Sequence, residues 1–221
     1  EIPGRKEFLE KIYEFDARVA DRVFNTNVTS TGRYFYLKTR PEDQNGKLYT
    51  RKSYDESEKI LFDPDLYKSD ENLNYTISSY MPNYQGNLIA LFLSPNGSEN
   101  AEIMIIDIDG KIFPEMIDRS ADWTSGWLPD DKSFFYTRFN SADIKDKNRQ
   151  INMKSYLHTI NTSEKEDIEV FSSKLNPELK IKPEEIAIPF YDKVSNKYFG
   201  GVFTVDKRIK KVKTNQCLEK L

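Results

Sequence analysis

Hydrophobic positions follow two different periods along this chain. Between residues 5 and 24, Phe8, Ile12, Phe15, Val19 and Val23 recur at steps of three and four. That spacing draws one apolar stripe along a helix and leaves Lys6, Glu10, Lys11, Glu14 and Arg18 for solvent. Pro3 and Gly4 precede the stripe, and Asn25-Thr26-Asn27 ends it. The stripe needs a cover, supplied either by its own domain or by another one.

From about Thr29 the period becomes two, interrupted by short polar turns. YFYLKT follows Thr31-Gly32-Arg33, LIALFLS follows Tyr84-Gln85-Gly86-Asn87, SFFYTRF follows Pro129-Asp130-Asp131-Lys132, and KYFGGVFTV follows Lys193-Val194-Ser195-Asn196. Each run reads as a strand entered from a tight turn. A second strand follows each one: KLYTRKS at Lys47, AEIMIIDI at Ala101, KSYLHTI at Lys154 and RIKKVKT at Arg208. A third follows in the first three units: KILFDP at Lys59, KIFPEMI at Lys111 and DIEVFSS at Asp167. In the later units TISSYMP, WTSGWLP and EIAIPFY supply a short strand before the turn.

The unit repeats every ~50 residues with up to four strands, the period and strand count of a β-propeller blade. Trp123–Leu128 is predicted as one inner strand, and Pro129-Asp130-Asp131-Lys132 as its hairpin. Large side chains suit the wedge between blades, so Trp123 and Trp127 are read as core. About three blades and the start of a fourth are present. Closed propellers need about four to eight, so the predicted class is all-β, a partial propeller preceded by an amphipathic helix. The expected division is a helical segment at 1–26 and the blades at 27–221.

Composition narrows the partners. The 221 residues carry 33 Lys+Arg against 36 Asp+Glu, a net charge of −3, which gives no electrostatic reason to bind nucleic acid or an anionic membrane. No apolar run approaches the ~20 residues of a membrane-spanning helix. A soluble protein is expected, cytoplasmic or periplasmic. The chain does not begin with Met and has no signal-peptide pattern, as a processed or trimmed piece would. One cysteine, Cys217, excludes an internal disulfide framework.

Candidate chemistry is sparse. A nucleophile elbow needs Gly-x-Ser-x-Gly, and the nearest matches, Asn96-Gly97-Ser98 and Ser125-Gly126, sit in strand or hairpin contexts. His158 is the sole histidine, on KSYLHTI. It is read as a strand histidine facing solvent or a neighbour, because a general base needs a nucleophile and an orienting acid. Asp107-Ile108-Asp109-Gly110 brings two carboxylates beside a glycine, but no downstream Glu completes a calcium loop, and a hairpin turn is preferred. Asn27, Asn74, Asn96 and Asn161 open Asn-x-Ser/Thr triplets that could accept glycans. The basic strand at 207–213 reads as a solvated edge. No catalytic residue, cofactor or metal site is assigned.

These segments resemble, in order, the N-terminal region of prolyl oligopeptidase, a serine peptidase family. IPGRKEFLEKI, GRYFYLKTRPEDQNGKLYTRKS, ILFDPD, MPNYQGNLIALFLSPNGSENAEIMIIDIDG and WLPDDKSFFYTRF carry the likeness over residues 2–162. In two places the family's turn glycine is displaced: Tyr84-Gln85-Gly86 stands for its Asp-Gly, and Asp131-Lys132 lacks the Gly. The resemblance implies a seven-bladed propeller over an α/β-hydrolase domain of the same polypeptide. That domain would hold the Ser, Asp and His, and the propeller would restrict access to short peptides cut after Pro. It also implies that the N-terminal helix packs on the hydrolase side and that this chain alone is inactive. With blade faces left open, the chain is expected to self-associate. Two rivals remain: a non-catalytic propeller that binds proteins or peptides, and a relative such as oligopeptidase B that cuts after basic residues.

Overall fold

The computed structural model describes residues 3–16, 20–67, 73–121, 126–204 and 207–214. Among these residues one α-helix, α1 (Arg5–Asp16), precedes fifteen strands. The first blade is β1 (Arg22–Val28), β2 (Tyr34–Thr39), β3 (Lys47–Arg51) and β4 (Lys59–Phe62). The second is β5 (Tyr75–Pro82), β6 (Leu88–Pro95), β7 (Ala101–Asp107) and β8 (Ile112–Ser120). The third is β9 (Gly126–Trp127), β10 (Ser133–Arg138), β11 (Lys154–Thr159) and β12 (Ile168–Phe171). The fourth contributes β13 (Ile186–Asp192), β14 (Lys197–Thr204) and β15 (Lys207–Thr214). Within each blade, successive strands pair antiparallel. This is an all-β partial propeller.

One sequence expectation is corrected. The described helix runs from Arg5 to Asp16 and residues 22–28 are a strand, so Val23 leaves the helical stripe, and Val19 lies outside the described residues. The boundary drawn at 26/27 therefore falls inside β1. The segment RVFNTNV carries β-branched Val, Thr and Val, and it pairs with β2 from Arg22↔Thr39 to Val28↔Tyr34. Asn25, at φ 51, accommodates the irregularity in that pairing. Of the inner strand expected over Trp123–Leu128, Gly126–Trp127 form a strand; Trp123, Thr124 and Ser125 lie outside the described residues.

Cores form between blades. β6 is buried at seven of its eight positions. Ile89, Leu91 and Leu93 pack with Phe35, Leu37 and Leu48 of the first blade. Leu88, Ala90 and Phe92 pack with Trp127, Phe134 and Tyr136 of the third. Phe135, on the opposite face of β10, meets Ala187 and Val202 of the fourth. A strand in the middle of a blade stack is covered on both faces, so it reads as a continuous apolar run. The third and fourth blades approach closely at Gly200, where an added Cβ would lie 2.7 Å from the Phe171 ring; only glycine leaves room for that ring.

The second and third blades share one ladder. Arg138 pairs with Ser120, the Ala121 N–H donates to the Thr137 carbonyl (2.9 Å), and the Phe139 N–H donates to the Arg119 carbonyl (2.8 Å). The first and fourth blades remain separate sheets.

Candidate functional site

Each blade's inner strand runs into a hairpin, and these hairpins touch their neighbours. Asn83 begins one by accepting the Asn87 and Leu88 N–H groups at 3.0 and 3.1 Å. Asp130 does the same for Lys132 and Ser133, both at 2.9 Å, and Asp192 accepts the Ser195 N–H at 2.9 Å. Short Asx side chains favour this position because they close a turn on their own backbone. Ser30 Oγ then donates to the Tyr84 carbonyl (2.6 Å) and Thr31 Oγ1 to the Gln85 carbonyl (3.2 Å), joining the first hairpin to the second. Asp131 Oδ1 accepts the Gln85 N–H (3.1 Å), joining the second to the third. Asp131 holds φ 56, a conformation that usually selects glycine. Its carboxylate links two blades, which a glycine could not do.

Behind these hairpins the inner strands enclose a cleft of about 230 Å³. Asn27 comes from β1, Tyr80, Met81 and Pro82 from β5, Tyr84 from the next hairpin, Gly126 and Trp127 from β9, and Tyr191 from β13. Trp127 is 5% exposed and packs against Phe134 with centroids 5.1 Å apart and the rings tilted by 57°. Its indole N–H donates to the Met81 carbonyl at 2.8 Å, tying the inner strands of two blades. Tyr80 donates to the Asn25 carbonyl, and burial pushes its phenol well above the usual range. Burial also raises the Tyr84 phenol, helped by the nearby Tyr191 and Asp131. The phenols therefore stay neutral near pH 7. Lys193 adds a cation at the rim, its Nζ 4.9 Å from the Tyr84 centroid. A wall of aromatic rings and amides can contact an apolar or Pro-containing peptide; among the described residues its lining holds no nucleophile–base pair.

His158 is fully buried. Its Nδ1 lies 2.8 Å from Asp167 Oδ1, and Asp167 Oδ2 accepts the Tyr136 hydroxyl at 2.7 Å. The ring packs against Phe134 at 5.2 Å, while Nε2 has no hydrogen-bond partner. His158 is thus a core strand histidine that faces neighbours. Asp107 is occupied by its hairpin: Oδ1 accepts the Asp109 and Lys111 N–H groups, both at 2.9 Å. Ser98 Oγ donates to the Asn100 carbonyl (3.2 Å); Ser125 and Cys217 lie outside the described residues. Asn27, Asn74, Asn96 and Asn161 are all exposed. Among the described residues β15 is the last strand of its sheet.

One cluster was not anticipated. On the face of the first blade turned away from the second, Tyr36 and Tyr49 stack with centroids 5.9 Å apart. Tyr36 donates to Glu58 Oε2 (2.6 Å), Lys38 bridges Glu58 and Asp21 (both 2.7 Å), and Arg51 lies 5.2 Å from the Tyr34 centroid. Burial, then the Glu58 hydrogen bond, pushes the Tyr36 phenol up to about 12. Tyr34, Tyr36 and Lys38 alternate with the core residues Phe35 and Leu37, and that alternation was the available signal.

Comparison with known proteins adds five findings. The family profile for the prolyl oligopeptidase N-terminal β-propeller domain matches residues 6–182. A solved prolyl endopeptidase superposes with a TM-score of 0.72 at 21% identity, covering 96% of this chain and 32% of that one. Prolyl oligopeptidase B from Galerina marginata, bound to a 35mer hydrolysis and macrocyclization substrate, gives 0.65 at 15% identity, covering 96% and 34%. Its apo form gives 0.61 at 16% identity, covering 96% and 33%. At these identities the likeness speaks for the fold, and the chain spans about a third of the solved chains' length. A search of curated proteins finds no match.

Proposed function

Because the chain belongs to the prolyl oligopeptidase family, matching its N-terminal β-propeller domain, we propose that it forms the first half of an access-restricting ring in a serine endopeptidase. The parent would hydrolyse short peptides after Pro. Its nucleophile, base and acid would lie in an α/β-hydrolase domain elsewhere in the same polypeptide. The supporting observation is the cleft: four consecutive inner strands, from Asn27 to Tyr191, converge on one space walled by neutral aromatic rings. A narrow opening lined in this way would favour an extended chain over a folded protein. We assign α1 to the hydrolase side, since Phe8 and Ile12 on its stripe are 67% and 43% exposed.

The test uses the full polypeptide that contains these residues. A Pro-linked chromogenic peptide should be cleaved and the cleavage blocked by a serine-directed inhibitor. The same peptide embedded in a folded carrier should resist. Equal cleavage of both would overturn the access role. Cleavage only after Lys or Arg would favour an oligopeptidase-B-like specificity, and no cleavage of any peptide would favour a binding propeller. Residues 1–221 alone should be inactive.

A further inference from the structure

The sequence contains two Asn-Gly pairs, Asn45-Gly46 and Asn96-Gly97, and the fold treats them oppositely. Asn45 is half-buried, and its amide Nδ2 is held by Asp65 Oδ1 at 2.6 Å. Gly46 is packed: a Cβ added there would lie 3.1 Å from the Phe24 ring and 3.2 Å from Thr39 Oγ1. Asn96 and Gly97 are exposed at the tip of the β6–β7 hairpin, and nothing lies within 4 Å of a Cβ added to Gly97. The turn is closed by the Ser98 N–H on the Pro95 carbonyl (2.9 Å), with Asn96 at φ 49 and Gly97 at φ 67. Asn96 Oδ1 accepts the Asn74 N–H at 3.2 Å. That bond draws electron density from the side-chain carbonyl. Among the described residues nothing holds Asn96 Nδ2 or occupies the Gly97 N–H.

We propose that Asn96 is a self-modification site, converting to aspartate and isoaspartate through a cyclic imide while Asn45 stays intact. The Gly97 amide nitrogen loses its proton and attacks Asn96 Cγ. The new N–Cγ bond forms, the Cγ–Nδ2 bond breaks, and the leaving group departs as ammonia. Water then opens the imide at either carbonyl, giving aspartate or the backbone-lengthened isoaspartate. No oxidant, reductant or further partner is consumed. The step needs a side-chain amide free to leave, a carbonyl polarised toward attack and no Cβ on the attacking residue. Asn96-Gly97 meets all three, whereas at Asn45 the amide is clamped and its surroundings leave little room for an imide. Isoaspartate adds a methylene to the backbone at a two-residue turn, so it would also disturb the bonds between Asn96 and Asn74 that hold the start of β5.

The test is peptide mapping by mass spectrometry after the folded full polypeptide is incubated in mildly alkaline ¹⁸O-water. Asn96 should lose its amide ahead of Asn45 and take up label. It should yield two chromatographically distinct products, and its rate should rise with pH. Asn96→Gln should abolish the change at that position without accelerating Asn45. Conversion of Asn45 as fast as Asn96 would overturn the proposal. So would an intact Asn96 under conditions that convert a free peptide of the same sequence.

Discussion

Trp127 fills the wedge between two blades with its ring and joins them with its N–H. Truncating it to alanine leaves a cavity beside Phe134 and orphans the Met81 carbonyl. Trp127→Ala is expected to lower stability by about 3–5 kcal/mol, the range for a buried aromatic, read as a shift in the denaturation midpoint. A midpoint that barely moves would show that the ring faces the cleft as a contact surface instead. Asp43 gives a second test. It holds Lys47 Nζ at 2.8 Å, and Lys47 also reaches Asp63 at 2.9 Å. The Lys47 ammonium, then the Arg40 backbone N–H, holds the Asp43 carboxyl below the usual range. The unfolded chain therefore binds a proton at higher pH than the folded one. This stabilisation is fully present above about pH 4, the ordinary carboxylate value, and is lost as pH falls through the depressed one. Asp43→Asn should destabilise at neutral pH, and its deficit should shrink in acid. Urea midpoints that differ by the same amount at both pH values would contradict this.

At the scale of elements, what could be read from the chain depended on burial. LIALFLS and SFFYTRF are apolar without interruption because each is sandwiched between two blades, and their strands were legible. β1 was not, because all seven of its residues are exposed. No alternating burial is written into RVFNTNV, and Val23 happens to continue the helical spacing of Phe8, Ile12 and Phe15. The hairpins were legible from Pro129-Asp130-Asp131-Lys132 and Tyr84-Gln85-Gly86-Asn87; the closing role of Asn83 was not. The cleft was not, since its lining is drawn from Asn27 through Tyr191 and only the ring geometry gathers it. The Tyr36–Glu58 cluster was missed for a related reason: its contacts join separate strands and loops. The hairpins make their own prediction. Gly86 has φ +71, and a Cβ there would lie 2.9 Å from the Thr29 side chain. Gly97 has a similar φ of +67 but open space. Both alanine variants incur the left-handed strain of about 1–2 kcal/mol. Gly86→Ala should cost about 1–3 kcal/mol more, because Thr29 must move. Equal midpoints for the two variants would mean that the contact between the first two hairpins carries no stability.

For the molecule as a whole, the two ends of the blade stack matter most. The outward face of the first blade is not bare aliphatic surface; Tyr36 and Tyr49 lie there among Lys38, Arg51 and Glu58. Among the described residues, α1 exposes Phe8, Ile12, Tyr13 and Phe15 along one short helix, and β1 after it exposes Val23, Phe24 and Val28. Residues 1–221 on their own are therefore expected to associate through the helix. Light scattering coupled to size exclusion at micromolar concentration should show dimers or larger species, and Phe8→Glu with Ile12→Glu should return a monomer. A monodisperse wild-type monomer would show that α1 is already covered.

The shared ladder between the second and third blades sets an order of opening. The Ala121 and Phe139 amides are spent on the neighbouring blade, so neither blade can fray along that seam without releasing the other. Cooperative units of this kind exchange their amide hydrogens only when the whole unit opens. In deuterated water, Ala121 and Phe139 should keep their protons as long as the centre of β6, while the amides of β1 are replaced early. The two middle blades would then act as one thermodynamic block, and the outer blades would melt away from it first.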